Sequence, residues 1–194
     1  MSNTTISTFH RLVTEIIQNR FSCREYVDQP IALETQRQLH VVSEKLKAGP
    51  FGTPVRFQLV AATPQEHGAL RGLGTYGTIK NPAGFLVGAV HSSDKDLEDY
   101  GYTLEELILC ATDFDLGTCW LAGSFTINTF SKRISAEAGE RIPAIAATGY
   151  IPDIERARQA PQRRRVRADG RLPWEVLFFN QRFGSILTRE EAGI

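Results

Sequence analysis

The chain has 194 residues, of which 42% are hydrophobic and 23% are charged, with 22 basic and 22 acidic side chains. This is the composition of a globular protein of about one domain, and zero net charge disfavours a general nucleic-acid binder. No apolar run approaches the roughly 20 residues that span a bilayer, and residues 1–12 lack the apolar region of a secretory signal. We therefore expect a cytoplasmic protein.

The cysteines and histidines form no metal-binding motif. Cys23, Cys110 and Cys119 are far apart in the sequence, and none belongs to a C-x-x-C pair. The four histidines are equally scattered. Because zinc sites and disulfide frameworks need characteristically spaced ligands, the pattern predicts reduced, buried thiols and no metal.

Apolar spacing predicts helices and a strand in the first part of the chain. Intervals of three and four residues predict an amphipathic helix over 5–19 and a second one between Pro30 and Gly49. Alternation over 55–61 predicts a strand, and a short helix is expected over 64–73.

The middle of the chain begins with a nearly continuous apolar run, 84–90, which predicts a central strand covered on both faces. A helical region is expected from Ser93 to about Leu116, with Gly117 as its C-terminal glycine. Residues 118–125 then predict a glycine-containing turn.

The last part of the chain predicts a helix near 126–138, a third strand over 145–151 and a polar loop over 152–171. A short apolar segment follows from Pro173. The elements together predict an α+β domain in which helices pack on a small sheet.

The zero net charge conceals two opposite regions. Residues 94–115 carry eight acidic side chains against one lysine, whereas Arg156–Arg171 contains seven arginines. A basic run of this kind is one way to bind RNA, but no aromatic platform for stacking bases accompanies it. A solvated loop, with one or two arginines turned toward a ligand, is the favoured interpretation.

The C-terminal sequence holds a helix-start signal with no helix body after it. Thr188 followed by Glu191 fits the capping box, yet the sequence ends at Ile194. Two interpretations stay open, a frayed tail or a chain cut short of its natural end.

Arg20, Ser22 and Arg24 form the most informative polar cluster. A guanidinium presents a planar fork of donors that suits phosphate oxygens, and a hydroxyl adds a neutral donor. The cluster is therefore a candidate phosphate site, with a solvated pair of arginines as the alternative.

Three motifs together resemble the nitroreductase-like FMN-dependent flavoprotein family. The R-x-S-x-R-x-[FY] opening stands at 20–26, a Leu-Gly-Thr-Cys-Trp signature with a small-residue turn stands at 116–125, and an Arg-x-Pro motif with an apolar segment ending in Asn stands at 171–180. The resemblance implies a three-layer α/β/α sandwich with a small mixed sheet covered by helices.

The resemblance also implies bound FMN and an NAD(P)H electron donor. It assigns the FMN phosphate to Arg20, Ser22, Arg24 and Arg171, and the flavin ring to the turn at 121–123. Lys80 resembles the family lysine near the pyrimidine side of the ring, where a cation stabilises negative charge. The predicted cofactor-binding residues are thus Arg20, Ser22, Arg24, Lys80, Leu121, Ala122, Gly123 and Arg171.

One segment departs from the family pattern. The family's P-S-x-x-N-x-Q-P-W motif, whose Asn contacts the flavin, is replaced by Gly-Pro-Phe-Gly-Thr-Pro-Val-Arg-Phe at 49–57. This is similar to the "putative TM nitroreductase" branch, in which a related segment follows later in a longer chain. We therefore expect one FMN-binding domain over 1–194, with or without a further C-terminal portion in the natural chain, working as a homodimer or a pseudo-dimeric monomer.

The resemblance implies an NAD(P)H-dependent oxidoreductase that reduces nitroaromatics, quinones or similar small molecules by two-electron transfer. The cofactor carries that chemistry, so no residue is assigned as a catalytic acid, base or nucleophile. Two alternatives remain. One is a flavin-binding protein with little turnover, and the other is an RNA- or partner-binding domain that uses the arginine-rich loop.

Overall fold

The computed structural model of the protein describes residues 9–61, 70, 73, 75–168 and 170–193. They fall into two compact units, an N-terminal unit up to Arg158 and a C-terminal unit from Gln159. The helices are α1 (Val13–Asn19), α2 (Leu33–Lys45), α3 (Asp96–Asp113), α4 (Ile127–Arg133), α5 (Ile154–Arg158), α6 (Pro161–Arg165) and α7 (Trp174–Leu177). The strands are β1 (Val55–Ala61), β2 (Gly84–His91), β3 (Leu116–Leu121), β4 (Glu140–Arg141) and β5 (Ile145–Tyr150).

The strands of the N-terminal unit form one sheet in the order β1-β2-β5-β3, and β4 pairs with the end of β2. Each pairing among these strands is antiparallel, whereas the sequence interpretation expected mixed directions. In the described residues, parallel pairing is confined to two isolated bridges, Ser22 with Thr118 and Glu25 with Lys80. The strands predicted over 55–61, 84–90 and 145–151 are confirmed within a residue.

Both faces of this sheet are buried. In β2, Phe85 and Val87 join one apolar cluster and Leu86 and Val90 join the other, as the two-residue period of a strand requires. Helices α2 and α3 cover the second cluster, and α4 packs on the first through Phe130. The unit therefore has helices on both sides of the sheet. Within the described part of the chain, no helix is long and apolar enough to cross a membrane.

The first helix begins later than predicted. Helix α1 starts at Val13 because the N–H groups of His10 and Arg11 donate to the carboxylate of Asp113. This contact holds the preceding chain in a non-helical path. Residues 5–8 of the helix predicted over 5–19, and most of the one predicted over 64–73, lie outside the described residues.

The turn predicted over 118–125 is wrong in its first half, because Leu116–Leu121 forms strand β3 and pairs with β5. The reversal after α3 occurs at Asp115, whose φ is +60°. Gly117 does not cap the helix but allows close packing, because a Cβ there would lie 3.1 Å from the Cβ of Cys23. The prediction placed the strand's residues in the wrong element because a glycine followed the helical pattern.

The arginine-rich segment is also more regular than predicted. Instead of one loop over 152–171, the structure has the short helices α5 and α6, the second with Pro161 at its first position, where proline is favoured. The helix predicted near 126–138 ends at Arg133, before Ser135 adopts a φ of +49°. Thr188 and Glu191 form the reciprocal hydrogen bonds of a capping box, and the residues that follow are a turn.

The segment that departs from the family pattern binds a buried carboxylate. The N–H groups of Phe51 and Thr53 each donate to Asp99 of α3 at 2.7 Å, and Asp99 is fully buried. Burial raises the pKa of this carboxyl, but the hydrogen bonds from Phe51 and Thr53 outweigh it and lower the pKa overall. The loop and the helix are thereby fixed to each other.

Substitution of Gly49 by alanine tests this clamp. A Cβ at Gly49 would lie 2.3 Å from Asp99 Oδ1 and 2.6 Å from its Cα, so Gly49→Ala should lower the free energy of unfolding by about 1–3 kcal/mol. Gly101→Ala in α3 is the matched control, because a Cβ there meets open space and alanine favours helix. Urea unfolding followed by circular dichroism measures both, and equal stabilities for the two variants would contradict the clamp.

Asp113 gives the fold a pH dependence. Burial raises the pKa of its carboxyl, but hydrogen bonds from His10 and Arg11 outweigh that effect and lower it below 3.8. A lowered pKa contributes stability above the unfolded value, and that contribution is lost as the pH falls below about 4. Asp113→Asn should lower the free energy of unfolding at pH 7 by about 1–3 kcal/mol. It should also make that free energy depend less on pH in the acid range. If the free energy of unfolding falls by the same amount between pH 7 and pH 3 in the wild type and in Asp113→Asn, this assignment is contradicted.

Candidate functional site

An extended segment, Arg20–Val27, organises the predicted site in the N-terminal unit. Cys23 N–H donates to the Thr118 carbonyl of β3 at 2.8 Å. Lys80 N–H donates to the Arg24 carbonyl at 2.8 Å, and Tyr26 N–H returns a bond to the Lys80 carbonyl at 3.1 Å. The backbone thus fixes this segment beside β3 on one side and the loop before β2 on the other.

Alternation along the segment separates an apolar side from a polar side. Phe21 and Cys23 are buried in the core, whereas Arg20, Ser22 and Arg24 are partly exposed. Successive side chains of an extended chain point to opposite sides. The three polar residues that the sequence singled out therefore share one side, as a common ligand would require.

Tyr26 anchors the end of this segment. Its hydroxyl donates to the Cys23 carbonyl at 2.6 Å and to the Ala147 carbonyl of β5 at 3.1 Å. Burial raises the pKa of the phenol well above its ordinary value, so the group stays a neutral donor. The aromatic position of the R-x-S-x-R-x-[FY] motif serves packing here.

Arg20 is held by a carboxylate that sequence reasoning did not single out. Its Nε and Nη2 donate to the two carboxylate oxygens of Glu105 in α3, at 3.0 and 3.3 Å. Trp120 of β3 donates its indole N–H to the same carboxylate at 2.6 Å. The sequence showed Glu105 only as one member of an acidic helix, and nothing in its spacing indicated these partners.

Arg24 and Lys80 are held less tightly by carboxylates than Arg20 is. In the described residues, no carboxylate lies within 4 Å of the Arg24 guanidinium. Lys80 is 68% exposed and its Nζ lies 3.7 Å from Glu25, a distance and exposure at which an ion pair contributes little. Both side chains are accessible to an anionic ligand.

The loop at Leu121–Gly123 follows directly from β3. Leu121 ends the strand and is buried, whereas Ala122 and Gly123 are exposed. Among the described residues, the N–H groups of Ala122 and Gly123 donate no hydrogen bond. A Cβ at Gly123 would meet open space, so a flat ligand has room to approach these amides.

Arg171 belongs to the C-terminal unit. Its Nη1 donates to the carbonyls of Ala168 and Gly170, each at 3.1 Å, and its side chain is exposed. The structure therefore brings Arg20, Ser22 and Arg24 together along one segment beside β3, and it places Lys80 on the loop that bonds to the other side of that segment. It places Leu121, Ala122 and Gly123 at the end of that strand.

A comparison with models of known protein families shows which family the chain belongs to. Residues 12–169 match the family model described as "Putative TM nitroreductase", which is most of the chain. The chain belongs to this nitroreductase family. The match contains every predicted site residue except Arg171, which lies just beyond it.

Solved structures share the nitroreductase fold at low sequence identity. An oxidoreductase containing FMN has a TM-score of 0.68 and 18% identity, covering 95% of this chain and 100% of its own. A nitroreductase family protein from Clostridium difficile 630 has a TM-score of 0.63 and 16% identity, covering 89% and 99%. NADPH:FMN oxidoreductase from Vibrio harveyi, in complex with NAD+, has a TM-score of 0.62 and 14% identity, covering 93% and 81%.

The predicted nitroreductase-like fold is confirmed by these similarities. Identities of 14–18% establish the architecture and leave individual residue roles as predictions. A search of curated proteins finds no significant match. The roles of this nitroreductase-family chain therefore have to be argued from its own side chains.

Proposed function

We propose that this nitroreductase-family protein is an FMN-dependent oxidoreductase that takes electrons from NAD(P)H and reduces small acceptors such as nitroaromatics or quinones. The observation that carries the proposal is the arrangement along β3. The strand joins the polar side of Arg20–Val27, next to Thr118, to the exposed amides after Leu121. Those ends are about 10 Å apart at 3.3 Å per residue, which is the scale of a mononucleotide.

The polar residues fit the phosphate end of FMN. Arg20 and Arg24 supply cationic donors and Ser22 a neutral hydroxyl from the same side of one extended segment, and charge-assisted hydrogen bonds to phosphate are strong. The phosphate role that the resemblance assigns to Arg171, a residue of the C-terminal unit, stays a prediction. Although Arg20 is bonded to Glu105, its Nη1 edge points away from the two atoms that make that bond.

The residues after β3 fit the ring end of FMN. The N–H groups of Ala122 and Gly123 are free of protein acceptors within the described residues and offer donors to a heterocycle. Lys80 supplies a positive charge where negative charge would develop on the ring. FMN itself supplies the two-electron chemistry, while the protein binds it, orients it and sets the local charge.

A second candidate is a flavin-binding protein with little turnover. It is favoured by the segment 49–57, where the family's flavin-contacting Asn is missing and the loop instead binds Asp99. The expectation that a homodimer or pseudo-dimeric monomer completes the site stays a prediction. Turnover with NAD(P)H distinguishes the two candidates.

Titration of the apoprotein with FMN tests the phosphate site. Arg20→Ala should weaken FMN binding by about 1.5–3 kcal/mol, the scale of a hydrogen bond to a charged group, which is roughly 10- to 150-fold in Kd. Quenching of flavin fluorescence gives the affinity. Arg37→Ala is the matched control, because Arg37 is an exposed arginine whose carboxylate partner in the described part of the chain is Glu34 of its own helix. Equal FMN affinity for the wild type and Arg20→Ala would remove Arg20 from the site.

Anaerobic reduction tests the electron donor. With FMN bound, NADH or NADPH should bleach the flavin absorbance near ~450 nm, the usual band of an oxidised flavin cofactor, and a nitroaromatic or quinone should restore it. Dithionite bleaches any bound flavin and serves as the control. Bleaching by dithionite but by neither nicotinamide would support the flavin-binding protein with little turnover and would contradict the oxidoreductase.

A further inference from the structure

Glu105 connects the two ends of the proposed FMN site. Its carboxylate accepts two hydrogen bonds from Arg20 of the phosphate end and one from Trp120, the residue before the ring-binding loop. Only 23% of the Arg20 side chain and 35% of the Glu105 side chain are exposed. One acidic side chain of α3 thus holds the segment Arg20–Val27 and β3 at the same point.

We propose that Glu105 is a positioning residue for the FMN phosphate, which it orients through Arg20. This inference rests on the proposed function, because it assumes that Arg20 binds that phosphate. Neither the family match nor the sequence motifs assign a role to Glu105 or to the indole of Trp120.

The number of N–H donors on the Arg20 guanidinium supports this positioning role for Glu105. Arginine has five N–H donors in a fixed plane, and Glu105 receives those of Nε and one of Nη2. Three donors are left in that plane, two on Nη1 and one on Nη2, and a phosphate can bind them in the two-point manner that arginine favours. One guanidinium can therefore bind Glu105 and a phosphate at the same time.

The fixed conformation of the Arg20 side chain also supports a positioning role for Glu105. A free arginine side chain loses rotamer entropy when it binds a ligand. Because Glu105 already holds Arg20 at two atoms, and Trp120 holds Glu105, most of that freedom is lost before FMN arrives. Binding of the phosphate then costs less ordering.

The opposite effect, repulsion between Glu105 and the phosphate, is weaker in this setting. Both partners of the ion pair are partly exposed, and water screens charges that lie beyond direct contact. The carboxylate is also tied to Trp120 at 2.6 Å, so it cannot move to the Nη1 side and displace the phosphate. Removal of Glu105 should therefore weaken FMN binding.

A double-mutant cycle on FMN affinity tests the inference. Glu105→Ala should raise the FMN Kd about tenfold in the wild-type background and leave it unchanged in the Arg20→Ala background, because the effect passes through Arg20. Glu105→Gln keeps an acceptor oxygen for Arg20 and should stay within about threefold of the wild type. Glu98→Ala, which removes an exposed acid from the same helix, is the matched control and should bind FMN normally.

Trp120→Phe provides a second route if Glu105→Ala fails to fold. It removes only the indole donor to Glu105, so it should raise the Kd about threefold, and again only when Arg20 is present. FMN binding by Glu105→Ala that equals or exceeds that of the wild type would overturn positioning and make Glu105 a competitor. If Glu105→Ala weakens FMN binding equally in the wild-type and Arg20→Ala backgrounds, Glu105 has a structural role and does not position Arg20. Wild-type protein that binds no FMN would instead overturn the proposed function.

Discussion

The candidate site depends on the backbone hydrogen bonds of Arg20–Val27. This segment is not itself one of the five strands, yet it bonds to β3 through Cys23 and to the loop before β2 through Arg24 and Tyr26. These bonds fix which side chains enter the core and which face outward. Without them, the arginines and the serine would belong to a loop with no common direction, and Lys80 would have no fixed relation to them.

Buried carboxylates secure the helices around that segment. Asp99 and Asp113 lie near opposite ends of α3, and each accepts backbone N–H groups from a distant part of the chain. Glu105 lies between them and binds the side chains of Arg20 and Trp120. Asp99, Glu105 and Asp113 of this acidic helix thus serve as hydrogen-bond acceptors for distant parts of the chain.

The sequence predicted β1, β2 and β5 because their apolar pattern lies within their own residues. A strand that is buried on one or both faces can be recognised from that pattern without knowing which strand it pairs with. It missed β3, whose Gly117 and small residues imitate a turn, because the pairing with β5 that makes it a strand is a long-range contact. The polar cluster was found because its residues are close in sequence. Glu105 was missed because it lies 85 residues from Arg20.

Under the proposed function, one mononucleotide lies along β3, with its phosphate at Arg20–Arg24 and its ring at Ala122 and Gly123. A crystal structure of the protein with FMN tests this most directly. The account predicts phosphate oxygens within hydrogen-bond distance of Arg20 and Ser22, and ring heteroatoms facing the N–H groups after Leu121. A flavin bound elsewhere, or bound with its phosphate remote from Arg20, would contradict it.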